Sequence, residues 1–308
     1  MLHQIDVDGS AEFYHPPRII QKPEGGTRII ISPKPELQLV QERIHRLLKE
    51  TFPRPPHAFG YRGGSCLDLV WRHKDSKSIL KFDVKDAFFA VGYSRVRRAM
   101  RGYRRYTLKP LKLLPSFSPG FSSTVTHWIA RLCTYSPVPD SVAKRVPLAC
   151  SFLPQGAPTS PICFDLACWW LDKKLARIAK RVGGIMSRYA DNYYFSMPTP
   201  EISPELEAMI VCTTGSRQGF PIHKLRIANE GELCRILGYN LLDGQIRNTR
   251  EFLRKLRGAL HVLQTKLDRG LDWEDDYRRV RGFMGFAVDL PINLKQTYEY
   301  CESKIASL

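Results

Sequence analysis

The sequence contains no apolar run near the ~20 residues that a membrane-spanning helix needs, and residues 1–25 lack the basic-then-apolar layout of a secretory leader. A cytoplasmic protein with no membrane partner is therefore expected. There is no C-x-x-C pair and no histidine at finger spacing, which argues against structural zinc. The eight cysteines are scattered, mostly among apolar neighbours, and read as small reduced core residues. No repeat recurs at a 20 to 50 residue period and no low-complexity tract is present, so solenoids and disordered linkers are excluded. Acidic residues are also few: 30 Asp and Glu face 47 Lys and Arg, a formal charge of +17. Such a surplus points to a polyanionic partner, with nucleic acid ahead of anionic lipid.

What is present is a series of distinct segments in a chain of 308 residues, long enough to bury a large core. Residues 17–33 hold two short β-branched runs around Pro-Glu-Gly-Gly, a basic hairpin. Leu37, Val40, Ile44, Leu47 and Leu48 recur at helical spacing. Residues 78–91 open as a strand, residues 160–182 read as a long helix entered after Pro158, and residues 185–197 form a second hairpin. A strand pair turning at Asp243-Gly244 is expected in residues 233–248. From Arg250 onward the pattern is helical and basic, with Phe252, Leu256, Leu260, Leu263 and Leu267 on one stripe.

Two acidic strand segments carry the chemistry, Phe82-Asp83-Val84 and Tyr189-Ala190-Asp191-Asn192. One aspartate at a strand end is usually a solvated turn residue or cap. Two delivered to one point by adjacent strands suit phosphoryl transfer by two divalent ions, because hard Mg2+ prefers oxygen ligands and the ions sit about 3.5–4 Å apart across the attacking and leaving oxygens.

FDVKDAFF (residues 82–89) resembles motif A of reverse transcriptases, QGAPTSP (155–161) their motif B, and YADN (189–192) the YxDD box of motif C. The resemblance implies an α+β right-hand polymerase with an antiparallel-sheet palm, an N-terminal fingers hairpin and a helical thumb, divided as 1–75, 76–249 and 250–308. It implies an RNA-directed DNA polymerase using two Mg2+ ions, with Mn2+ as an alternative, held by Asp83, Asp191 and the backbone carbonyl of Val84. Lys22 and Arg28 match the basic hairpin that clamps the incoming deoxynucleoside triphosphate. Phe88 stands where the family places a ring under the sugar to exclude a 2′-hydroxyl. Gln155 and Gly156 match the turn against the nascent base pair, Lys224 the motif D lysine that protonates pyrophosphate, and Leu237-Gly238 the primer-grip turn. Residues 132–162 are similar to retron enzymes, although the Asn-Ala-x-x-His and Val-Thr-Gly signatures of most retron enzymes are absent. Retron-like enzymes imply a structured noncoding RNA, an RNA–DNA duplex and an effector or toxin protein in phage defence as partners.

Asn192 departs from the family box, which ends in a second Asp. An amide oxygen can still touch Mg2+ but brings no charge to a site that balances two dications. Three accounts stay open on the sequence: a tolerant natural site, an engineered Asp→Asn change, or a relative that binds nucleic acid as an RNA-binding scaffold without extending it. An RNA-dependent RNA polymerase is disfavoured by Phe88.

Arg95, Arg97, Arg98, Arg101, Arg104, Arg105, Lys109 and Lys112 crowd between three tyrosines, so RNA would meet phosphate-neutralising charge and stacking rings together. Arg254, Lys255 and Arg257 repeat the theme near the C-terminal end, as expected for contacts to a duplex backbone.

Overall fold

The computed structural model describes residues 10–21, 25–61, 63–107, 122–136 and 151–307, with only the backbone given for 102–107. The chain divides into two units. One comprises Met1–Gly64, Leu80–Phe195 and Ser203–Arg226, the other Ser65–Ile79, Ser196–Ile202 and Ile227–Leu308.

In the first unit the expected basic hairpin is β1 (Arg18–Gln21) paired antiparallel with β2 (Thr27–Ile30), in the register Arg18↔Ile30 to Gln21↔Thr27. Gly25 and Gly26 both take positive φ, 87° and 84°, which the chain needs to reverse here. Helix α1 (Pro35–Thr51) starts on Pro35, whose missing N–H costs nothing at a helix start. Its buried stripe is Leu37, Gln41, Ile44 and Leu48, while Leu47 is left exposed. The polar Gln41 takes the apolar position because its amide nitrogen donates to Tyr14 Oη at 2.9 Å and to the Leu132 carbonyl at 2.7 Å, which offsets the cost of burying that end of the side chain.

Strand β3 (Ser78–Val84) lies inside a four-stranded sheet of order β4-β5-β3-β6, with β4 (Ile185–Tyr189), β5 (Asn192–Met197) and β6 (Ile222–Ala228). Phe82 stacks on Tyr193 and Phe195, centroids 5.1 and 6.1 Å apart, and this packing fixes β3 against β5. Helices α3 (Tyr93–Thr107), α4 (Ser123–Cys133), α5 (Ser160–Arg181) and α6 (Pro204–Cys212) complete the unit. Helix α4 is capped by Ser122, whose hydroxyl accepts from the Val125 N–H. Over residues 160–172 helix α5 buries side chains all round, the expected state of a helix in the middle of a core, and among them are two carboxylates, Asp165 and Asp172.

The second unit contains α2 (Cys66–Arg72), opened by a Ser65–Asp68 capping box. The strand pair expected at residues 233–248 has a third member: β7 (Cys234–Ile236), β8 (Tyr239–Leu242) and β9 (Gln245–Asn248) form one antiparallel sheet. A three-residue run such as β7 carries too little periodicity to be told from a loop. Helices α7 (Arg250–Asp268), α8 (Glu274–Met284) and α9 (Ile292–Ala306) pack around Leu256, Leu260, Leu263, Leu267, Val280, Leu294 and Cys301, which confirms the Leu stripe. Asn248 ties sheet to helices, donating to the Phe286 carbonyl at 2.9 Å and accepting from the Val288 N–H at 2.7 Å. Among the described residues no helix is long and apolar enough to cross a membrane.

Candidate active site

Strand β3 carries Asp83 and the β4–β5 turn carries Asp191. The Val84 N–H donates to the Asp191 carbonyl at 3.0 Å, so the two strands meet where the aspartates stand. The turn itself needs Ala190 at φ 55°, a left-handed conformation that costs a non-glycine residue about 1–2 kcal/mol. Burial pushes the Asp191 carboxyl above the usual carboxylate range and the nearby Asp83 adds to the rise, while its own backbone N–H, Arg28 and Arg188 oppose it. The charge of Arg28 on β2 is thus felt at the Asp191 carboxyl. Lys22 lies outside the described residues.

The motif B turn sits against that hairpin. The Gln155 carbonyl accepts from the Ile31 N–H at 2.7 Å. Gly156 has φ 120°, and a Cβ there would meet Ser32 Oγ at 3.0 Å and Ile30 Cγ2 at 3.1 Å. Glycine is therefore required by both conformation and space. Phe88 is half-buried, edge-on to Phe164 at 5.5 Å and 6.4 Å from the ring of Tyr61. The Leu153 N–H reaches the carbonyls of Phe88 at 3.2 Å and Val91 at 3.0 Å, joining the segment after Asp83 to the approach to Gln155.

Other expected residues are less converged. Lys224 is exposed, with φ 51°, and it is the preceding His223 whose Nδ1 lies 3.1 Å from Asp83 Oδ2. Arg98 and Arg101 are exposed on α3. Arg97 is half-buried and donates to Ser123 Oγ at 2.8 Å, and Arg95 stacks over Phe220 at 4.2 Å. Burial lowers the Arg95 pKa, and that side chain packs rather than standing free in the basic segment. The side chains of Arg104 and Arg105, and residues Lys109 and Lys112, lie outside the described residues. In the second unit Gly238 has φ 88° after Leu237 at 48°, a tight turn, and Arg254, Lys255 and Arg257 are exposed on α7, with Lys255 paired to Glu251 at 2.7 Å.

Sequence reasoning missed four residues here. His223 gives no signal beyond adjacency to Lys224. Gly60 and Tyr61 approach the turn from a distant segment: burial pushes the Tyr61 phenol up, and Asp191 adds to the rise. Arg188, fully buried in β4, was legible as a charge in the middle of an apolar strand, with Asp165 and Asp172 seven apart on one face of α5.

Asp83, Asp191 and the Asn192 amide offer oxygen only, which fits Mg2+ in kind. The set supplies two carboxylate charges, and among the described residues no cluster of three or more His, Cys, Asp or Glu side chains converges. Asn192 Nδ2 donates to Asp191 Oδ1 at 3.1 Å, so the amide leans on the carboxylate that a cation would use.

The chain is similar to several known proteins. The family described as reverse transcriptase (RNA-dependent DNA polymerase) matches residues 20–241. The retron Mx162 reverse transcriptase of Myxococcus xanthus is 33% identical over 265 residues, covering 79% of this chain and 51% of that protein. The retron Mx65 reverse transcriptase of the same organism is 28% identical, covering 79% and 54%. The chain thus spans about half the length of these two relatives. The retron Ec86 reverse transcriptase of Escherichia coli is 25% identical, covering 87% of this chain and 73% of that protein. Among solved structures, telomerase from Candida albicans aligns with TM-score 0.54 at 12% identity, over 94% of this chain and 54% of that one, a likeness of fold alone.

Proposed function

The chain belongs to the reverse transcriptase family, and from that premise we propose that it is an RNA-directed DNA polymerase of retron-like type. A primer hydroxyl attacks the α-phosphate of a deoxynucleoside triphosphate, the new phosphodiester bond forms and pyrophosphate leaves. The observation that carries this reading is the meeting of Asp83 and Asp191 through the 3.0 Å bond between Val84 and Asp191.

The family uses divalent metals such as Mg2+. Two such ions, held by Asp83, Asp191 and the Val84 carbonyl, would lower the pKa of the primer hydroxyl and neutralise the leaving group. The chain's own residues do the rest. Arg28, with Lys22, clamps the triphosphate through charge-assisted bonds. Phe88 closes the space a 2′-hydroxyl would need. Gln155 and Gly156 hold the nascent pair, and Lys224 protonates pyrophosphate. Residues 1–75 serve as fingers, 76–249 as palm and 250–308 as thumb. Gly238 grips the primer, and Arg254, Lys255 and Arg257 hold the duplex by its backbone, as Arg97, Arg98, Arg101, Arg104 and Arg105 hold the RNA. The partners are a structured noncoding RNA, its RNA–DNA product and an effector or toxin protein in a cytoplasmic antiphage system.

A second reading has one observation behind it. Because the Asn192 amide donates to Asp191 Oδ1, it occupies a lone pair that a cation needs, as in a polymerase fold retained as an RNA-binding scaffold. Incubation with template-primer, Mg2+ and labelled deoxynucleotides separates the two. Extension by the chain as it stands refutes the scaffold, whereas no extension even by Asn192→Asp overturns the polymerase.

A further inference from the structure

Beneath the β4–β5 turn lies a buried ionic cluster that the proposed reaction does not use directly. Arg188, Asp165, Asp172 and Tyr193 are all at most 1% exposed. Arg188 Nε donates to Asp172 Oδ1 at 2.9 Å and Nη2 donates to Asp172 Oδ2 at 2.9 Å, a side-on fork. Nη1 spends its protons on Asp165 Oδ1 at 2.8 Å and on the carbonyl of Ala190 at 2.9 Å. Tyr193 Oη donates to Asp172 Oδ1 at 3.0 Å. Asp172 of α5 thereby holds residues on both strands of the hairpin, one on either side of the turn.

We propose that Arg188 is a positioning residue: oriented by Asp165 and Asp172, its guanidinium pins the Ala190 carbonyl and so sets where the Asp191 carboxylate stands. This rests on the reading of Asp191 as a metal ligand. Three features favour positioning over stability alone. A buried ion pair seldom stabilises more than apolar side chains of equal volume, so packing does not call for one here. The Arg188 backbone is already fixed, its N–H bonded to the His57 carbonyl at 2.7 Å and its carbonyl to the Phe59 N–H at 2.8 Å, and the side chain then curls forward to the turn. Ala190 also holds a left-handed φ of 55° that an unanchored alanine would leave. Lysine cannot substitute, since a single ammonium cannot span two carboxylates and a carbonyl with the geometry of a planar fork.

The test uses the full chain and Mn2+ as the probe, with binding read by electron paramagnetic resonance, template-primer affinity as a check on folding, and single-turnover extension. Arg188→Lys is expected to keep template-primer affinity, to lose about tenfold or more in Mn2+ affinity, and to lower kcat with the deoxynucleotide KM unchanged. A folded Arg188→Lys that binds Mn2+ as the wild type does overturns the proposal. If that variant does not fold, Asp172→Asn serves: it loosens the guanidinium that holds the Ala190 carbonyl, and a loss of about tenfold in Mn2+ affinity is expected. Unchanged affinity there overturns the proposal equally. A wild-type chain that binds no Mn2+ instead overturns the metal-ligand reading, and this inference with it.

Discussion

Gly60 lies directly against Ala190: a Cβ on Gly60 would stand 2.6 Å from the Ala190 amide nitrogen and 3.3 Å from its Cα. Both atoms belong to backbone, so neither can swing aside. The segment that ends at Gly60 is also bonded to β4 through Phe59 and Arg188, which leaves the turn as the part that must yield. Gly60→Ala should displace Asp191. A misplacement of about 1 Å near the chemistry costs about 10²-fold in rate, and overpacking costs about 1–3 kcal/mol of stability. Single-turnover extension beside a thermal melt checks both, and a wild-type rate in the variant would show that the turn tolerates the shift.

Asn192→Asp restores a carboxylate beside Asp191 and removes the amide that leans on it. Extension in Mg2+ should rise by about 10²–10³-fold, the scale of one preorganised electrostatic contact. Equal rates for the two proteins would mean that residue 192 does not limit the chemistry.

Asp191→Asn should lose extension and gain stability in EDTA. The folded-state pKa of Asp191 is raised above the ordinary 3.8, by burial first and by Asp83 next. Between the two pKa values the folded state holds the proton more tightly than the unfolded state. Stability therefore falls as pH rises through that window, and the penalty is complete above the folded-state pKa. The variant should melt higher than wild type at pH 7, with the difference vanishing as pH drops below 3.8. A variant that melts lower at pH 7 contradicts this assignment.

Phe88 is braced by Phe164, edge-on at 5.5 Å, and so cannot retreat from a bulkier sugar. Phe88→Ala opens that space. The kcat/KM preference for deoxynucleotides over ribonucleotides should fall by about ten- to a hundred-fold. An unchanged ratio would move discrimination to another residue, and Tyr61, whose ring lies 6.4 Å away, is a candidate.

Local pattern made a good part of this protein legible. The basic hairpin, the Leu37 helix, the helix after Pro158 and the Leu stripe of α7 depend on residues near one another in sequence, so apolar period and turn residues declare them. The motifs likewise nominated Asp83, near the end of β3, and Asp191, in the β4–β5 turn. Non-local pairing lay beyond it. Nothing in residues 57–61 announces that they flank Arg188 and the Ala190 turn, and nothing near His223 announces Asp83. Gln41 reads as a surface residue by type, and it is buried where Tyr14 and the Leu132 carbonyl, both distant in the chain, accept from its amide; the partners of Arg188 on α5 are likewise distant. The sequence by itself determined the basic hairpin, the helix after Pro158 and the Leu stripe, and it nominated the two aspartates, because propensity and periodicity act over a few residues. Only the tertiary structure decided what stands behind those aspartates, because a buried charge is tolerated only where the fold assembles all of its partners at once.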